Sequence, residues 1–129
     1  MPAASSMNVL IVDDQQTIRS LVRTGLQQLG FSSFQDASDG EEGLRHLLVK
    51  PFQLIISDYN MPKLDGLGLL RAVRGHPPLA TTPFIMLTGR ADKELVQRAV
   101  QFGVNNYLVK PFTVATLKEK IEAVFGVLT

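Results

Sequence analysis

The chain has no cysteine, two histidines and no pronounced excess of charge of either sign. The absence of cysteine excludes a disulfide scaffold, a thiolate metal site and a thiol nucleophile. A formal net charge of +1 gives no global field that would draw in nucleic acid or an anionic membrane, so neither is expected as a partner. No uninterrupted apolar run approaches the ~18–20 residues that span a bilayer. The opening MPAASSM has neither the basic region nor the apolar centre of a signal peptide, and a cytoplasmic location is expected. Nucleotide signatures are also missing: neither GxGxxG after the first strand nor GxxxxGK[ST] occurs, and Gly66-Leu67-Gly68 makes no such fingerprint. His46 and His76 have no carboxylate at useful spacing and read as surface residues.

What is present is an alternation of two periodicities. Short apolar runs lie at Asn8–Val12, Leu54–Ser57, Phe84–Leu87 and Tyr107–Val109, with a weaker one at Ser33–Ala37. Runs that are apolar on both faces indicate strands covered on both sides, as in a parallel sheet. Between them, Ile18, Leu21, Val22, Leu26 and Leu29 recur at the spacing of one helix face, closed by Gly30. Leu44, Leu47 and Leu48 mark a second helix begun near Asp39, and Leu67, Leu70 and Val73 a third, stopped by Gly75 and Pro77-Pro78. Leu95, Ala99 and Phe102 give a fourth ending at Gly103. Leu117, Ile121, Val124 and Leu128 give the last, with Thr113 as its N-cap. Five strands alternating with five helices predict an α/β domain with helices on both sheet faces. With no repeat and no linker, residues 1–6 are expected to form a flexible lead-in and residues 7–129 a single domain.

The polar interruptions carry the chemistry. Asp13 and Asp14 follow VLIV, Asp58 follows LIIS, Thr88 ends FIML and Lys110 ends YLV. Each falls at the carboxyl end of a predicted strand, and in open parallel sheets those ends converge on one crevice. An Asp-Asp pair alone is more often a solvated turn or helix cap; its joint occurrence with Asp58, Thr88 and Lys110 favours a site. Clustered carboxylates repel and raise at least one pKa, which a hard divalent cation relieves. Mg²⁺ takes oxygen ligands and suits one or two carboxylates plus a phosphoryl oxygen. Asp58 can then act as nucleophile toward phosphorus, with Lys110 and the Thr88 hydroxyl meeting the phosphoryl oxygens. Asp65-Gly66 reads as a turn and helix start.

These motifs (VDD after the first strand, SDYNMPKLDG at the third, LTG at the fourth and YLVKPFT at the fifth) resemble the response-regulator receiver domains, over roughly residues 7 to 128. Within them the chain is similar to single-domain chemotaxis regulators, notably in NMP after Asp58 and ATLKEKI near the end. The resemblance implies a five-stranded parallel sheet of flavodoxin-like order 2-1-3-4-5 with five helices on both faces. It implies that Asp58 accepts a phosphoryl group from a histidine kinase, and that Mg²⁺ is held by Asp13, Asp14, Asp58 and the backbone carbonyl of Asn60. Thr88 and Lys110 would bind the phosphoryl group, Lys110-Pro111 would be cis, and Thr88 and Tyr107 would form the switch.

The implied output face comprises Ala91, Lys93, Val96, Val100, Val104, Tyr107 and Lys120. Small apolar residues flanked by lysines suit an acidic amphipathic peptide such as that of a flagellar motor switch protein; another downstream protein and a phosphatase are further partners, and a monomer is expected. Departures are Gln15 in place of an aromatic and Arg90 in place of an acid, the latter at a position that influences water access to the acyl phosphate. Two signalling alternatives stay open: a phosphorelay intermediate, and a receiver taken from a transcription factor. A remote one is an aspartate-nucleophile phosphohydrolase, but Asn60 stands where such an enzyme needs its second aspartate. Beyond self-phosphorylation from small donors and slow self-dephosphorylation, no enzymatic activity is expected.

Overall fold

The computed structural model describes residues 3–89 and 93–128. Five strands, β1 (Asn8–Val12), β2 (Ser33–Ala37), β3 (Leu54–Asp58), β4 (Phe84–Thr88) and β5 (Asn106–Val109), alternate with five helices. The helices are α1 (Gln16–Gln28), α2 (Gly40–Val49), α3 (Gly66–Gly75), α4 (Lys93–Gln101) and α5 (Val114–Phe125). All strand pairs are parallel, in the order β2-β1-β3-β4-β5. This is the architecture the motifs imply, and the Lys110-Pro111 peptide is cis.

Side chains alternate across a strand, and the core divides accordingly. Val9 and Ile11 of β1, with Leu54, Ile56, Ile85 and Leu108, pack against Val22 and Leu26 of α1 and Leu117 and Ile121 of α5. Leu10 and Val12, with Ile55, Phe84 and Met86, face the opposite layer of Leu47, Leu67, Leu70, Val73 and Ala99 from α2, α3 and α4. Both layers are needed: β3 and β4 are buried along their whole lengths, so an uncovered face would expose a continuous apolar surface.

Local chemistry sets the helix starts. The Asp39 carboxylate accepts from the Glu42 amide at 2.8 Å, and Asp65 from the Gly68 amide at 2.8 Å. Thr113 Oγ1 accepts from the Thr116 amide at 3.0 Å, the predicted N-cap. Three apolar expectations differ. Leu21 is 55 % exposed and Leu48 is 56 % exposed, because each lies at the margin of its helix's apolar stripe. Leu128 packs against the core but lies beyond α5, which ends at Phe125 and is capped by Gly126 at φ 86°, a positive value that suits glycine. Within residues 1–6, Ala4–Ser6 form a 3₁₀ turn, and Ala4 is fully buried against the core.

Candidate functional site

Strand register brings the polar ends together. Val12 pairs with Ser57, and Asp58 pairs with Leu87, so Asp13, Asp58 and Thr88 leave the sheet side by side. Thr88 pairs with Val109, and the Lys110 amide donates to the Thr88 carbonyl at 2.7 Å. Four segments distant in the chain therefore share one edge.

Asp13, Asp58 and Thr88 are buried, whereas Asp14 is exposed. One carboxylate oxygen from each of Asp13, Asp14 and Asp58 lies within 4.8 Å of the others. The Lys110 ammonium bridges two of these acids, 3.0 Å from Asp58 Oδ1 and 3.4 Å from Asp13 Oδ2. Asp58 Oδ1 also accepts from the Tyr59 amide at 3.0 Å. No donor among the described residues serves Asp58 Oδ2, which keeps its lone pairs for another partner.

The electrostatics match this crowding. Burial pushes the Asp13 carboxyl above its ordinary value, and Asp58 adds to the rise; the Gln15 amide and Lys110 oppose it without reversing it. Burial acts against the Lys110 ammonium too, but the hydrogen bond and charge of Asp58, joined by Asp13, outweigh it and raise its pKa. The one ammonium reaches two of the three acids, so it does not balance the formal charge of the cluster. An all-oxygen donor set with residual negative charge fits Mg²⁺. The Thr88 hydroxyl adds a second unmet demand: Oγ1 is buried with no hydrogen-bond partner among the described residues. Such a group signals an absent ligand or water rather than a settled core.

Around this edge, Asn60 follows in the exposed part of the loop after β3. Tyr107 is half-buried against the α2–α3–α4 layer, and the Lys120 ammonium lies 4.7 Å from its ring centroid. Lys93, Val96 and Tyr107 line a shallow cavity of about 230 Å³ together with Gln97. Val100 is exposed, while Val104 packs partly into the core. Ala91 and Arg90 lie outside the described residues.

Two contributors escape sequence reasoning. Gly66 sits where a Cβ would come within 2.2 Å of the Asp58 carbonyl oxygen. Its amide donates to the Tyr59 carbonyl at 2.8 Å, so a turn glycine also permits the close approach that braces the Asp58 loop. The other is Arg19, whose guanidinium donates from Nη1 to the Asp13 main-chain carbonyl at 2.5 Å. The only sequence trace of Arg19's role is a cation one turn into α1 and an acid, Asp36, near the end of β2.

Comparison with known proteins agrees with this geometry. The response regulator receiver domain family matches residues 9–122. The chain is 52 % identical over 128 residues to a Rhizobium etli protein named "Probable chemotaxis protein CheY", covering 99 % of both chains. It is 43 % identical to chemotaxis protein CheY-3 of Vibrio cholerae, covering 93 % of this chain and 92 % of that one. Among solved structures, Vibrio cholerae chemotaxis protein CheY4 superposes with a TM-score of 0.85 at 36 % identity, covering 96 % of this chain and 99 % of the other.

Proposed function

The chain belongs to the response regulator receiver domain family, and on that premise we propose that it is a switch of two-component signalling that accepts a phosphoryl group on Asp58. The observation that supports this most is the pairing of a bridged carboxylate with an unmet hydroxyl. Lys110 holds Asp58 Oδ1, and among the described residues Oδ2 has no donor and the buried Thr88 hydroxyl on the same sheet edge has no partner.

In the proposed reaction an Asp58 carboxylate oxygen attacks phosphorus on a phosphohistidine of the kinase. The new P–O bond forms as the P–N bond breaks, and the histidine side chain leaves. Lys110, already beside Asp58, neutralises charge on the phosphoryl oxygens, and the Thr88 hydroxyl donates to one of them. Asp13 and Asp14, with Asp58 and the Asn60 carbonyl, would hold Mg²⁺, which when bound neutralises phosphoryl charge. Hydrolysis of the acyl phosphate resets the switch, slowly, because no carboxylate at position 60 supplies a general base.

The output follows from Thr88. A hydroxyl drawn to the phosphoryl group leaves room behind it, favouring a packing in which Tyr107 turns inward and the α4–β5–α5 face changes shape. The relatives' chemotaxis names and the cavity between Lys93 and Tyr107 support an acidic amphipathic peptide of a flagellar motor switch protein as the target. Binding of such a peptide should tighten about tenfold or more with beryllofluoride and Mg²⁺, and Asp58→Asn should abolish the gain. A Lys93→Ala/Lys120→Ala variant should lose binding. Tighter binding to a histidine phosphotransfer protein than to the motor peptide would instead make the chain a relay intermediate.

A further inference from the structure

We propose that Arg19 is a positioning residue that locks the Asp13–Asp14 peptide and so sets the affinity of the acidic cluster for its cation, an inference that rests on the reading of that cluster given above. Arg19 lies in the first turns of α1, where its amide donates to the Gln15 carbonyl at 3.1 Å. A cation is disfavoured near the positive end of a helix, and the first turn of α1 holds no acid to offset it. The side chain is nevertheless only 15 % exposed. Something on the sheet side must compensate.

The compensation comes from two segments. Nη1 donates to the Asp13 carbonyl at 2.5 Å, a charge-assisted bond. Nε lies 3.4 Å from Asp36 Oδ2 on β2, outside hydrogen-bond geometry, so the contact is an ion pair alone. Asp36 is oriented in turn by a close ion pair with Arg23, whose guanidinium lies 5.5 Å from the Phe34 ring centroid. Arg19 therefore joins α1, the end of β1 and β2.

The Asp13 carbonyl belongs to the planar peptide that carries the Asp14 amide, so fixing it fixes where Asp14 begins. Asp13 itself is pinned at its other end, its Oδ1 accepting from the Gln15 amide at 2.9 Å. With both bonds in place, two of the three acids are presented in one geometry before a cation arrives. Loss of the arginine frees that peptide. It also removes a positive charge that repels the cation, and the two effects have opposite signs.

That opposition makes the test decisive. Mg²⁺ affinity is read from amide NMR shifts of residues 12–15 and 58–60 in the full chain, for wild type, Arg19→Met, Arg19→Lys, Asp36→Asn and the Arg19→Met/Asp36→Asn double variant. Arg19→Met should weaken Mg²⁺ by about three- to tenfold, at or below the lower end of effects seen for outer-shell partners because lost repulsion offsets part of it. Arg19→Lys, which keeps the charge but cannot span both partners, should also weaken it. Asp36→Asn should weaken it less, and its effect should vanish in the Arg19→Met background. Tighter binding in Arg19→Met, unchanged binding in Arg19→Lys, or additive effects in the cycle would overturn the proposal. Should Arg19→Met fail to fold, the Arg19→Lys and Asp36→Asn affinities decide it by the same criteria. If wild type itself shows no Mg²⁺-dependent shifts that Asp13→Asn removes, the reading of the acidic cluster fails first, and the inference with it.

Discussion

At the scale of single residues, the site is built at the expense of stability. Asp13 has its folded-state pKa raised above 3.8 by burial and by Asp58. The stability from that shift is complete only below the unfolded value and is lost as pH rises through the folded one. At neutral pH without a cation, the Asp13 carboxylate therefore destabilises the fold. Lys110 is raised above 10.5, so its contribution is intact at neutral pH and disappears only when it loses its proton in alkali. Asp13→Asn keeps an oxygen to accept the Gln15 amide while removing the charge. In chelator at pH 7 it should stabilise the protein by on the order of 1 kcal/mol, the gain shrinking toward pH 4, and Mg²⁺ should stabilise wild type but not the variant. Urea unfolding across pH measures both; a destabilised Asp13→Asn protein at pH 7 would be contrary to this. The four strand-end positions, Asp13, Asp58, Thr88 and Lys110, are readable in sequence because each ends an apolar run. Arg19 and Gly66 are not, because their roles depend on which backbone carbonyl each approaches in space.

At the scale of elements, β1 and β2 match their expected ranges residue for residue, and the other strands differ by one residue at an end. The apolar runs of β3 and β4 stop before the strands do, because Asp58 and Thr88 still pair in the ladder, while the half-exposed edge strand β2 is marked only weakly by Phe34 and Ala37. Helix faces are less legible. Leu21 and Leu48 share the apolar period but point past the margin of the packed stripe, and hydrophobicity alone does not locate that margin. Leu21 instead helps line a groove of about 510 Å³ with Gly25 and Phe112, beside Lys110. The join between the end of α3 and the loops entering β4 and β5 is likewise invisible in sequence, because it rests on which carbonyls the Arg74 side chain reaches. Arg74 donates to the carbonyls of Gly103, Ala80 and Thr82 and to Asn105 Oδ1, which also accepts from the Phe84 amide. Burial lowers its pKa. All five hydrogen bonds end on neutral oxygens, so a point charge cannot replace the guanidinium fork. Arg74→Met should cost about 2–3 kcal/mol in urea unfolding, and Arg74→Lys should recover little of it. Full recovery by lysine would show that charge, not geometry, makes the join.

At the scale of the whole molecule, the parallel sheet acts as a convergence device. Its topology gathers Asp13, Asp58, Thr88 and Lys110 from four strands at one edge, while β5 and α4 supply Tyr107 and Lys93 to one shallow cavity. On the function proposed above, a phosphoryl group on Asp58 and a peptide bound at that cavity would be linked through the Thr88 hydroxyl. Each should strengthen the other by the same factor. The family's motifs make this plan legible without coordinates; the packing that would couple Thr88 to Tyr107 is a matter of side-chain volume that they leave unspecified. The proposed switch depends on Asp58 as phosphoryl acceptor. The direct measurement is mass spectrometry of the protein after incubation with acetyl phosphate, with and without Mg²⁺, mapping any hydroxylamine-labile phosphoryl group to its peptide. One such group should appear on the Asp58 peptide, require Mg²⁺ and be absent from Asp58→Asn. A hydroxylamine-labile group that persists in Asp58→Asn, or none in wild type with Mg²⁺ present, would contradict it.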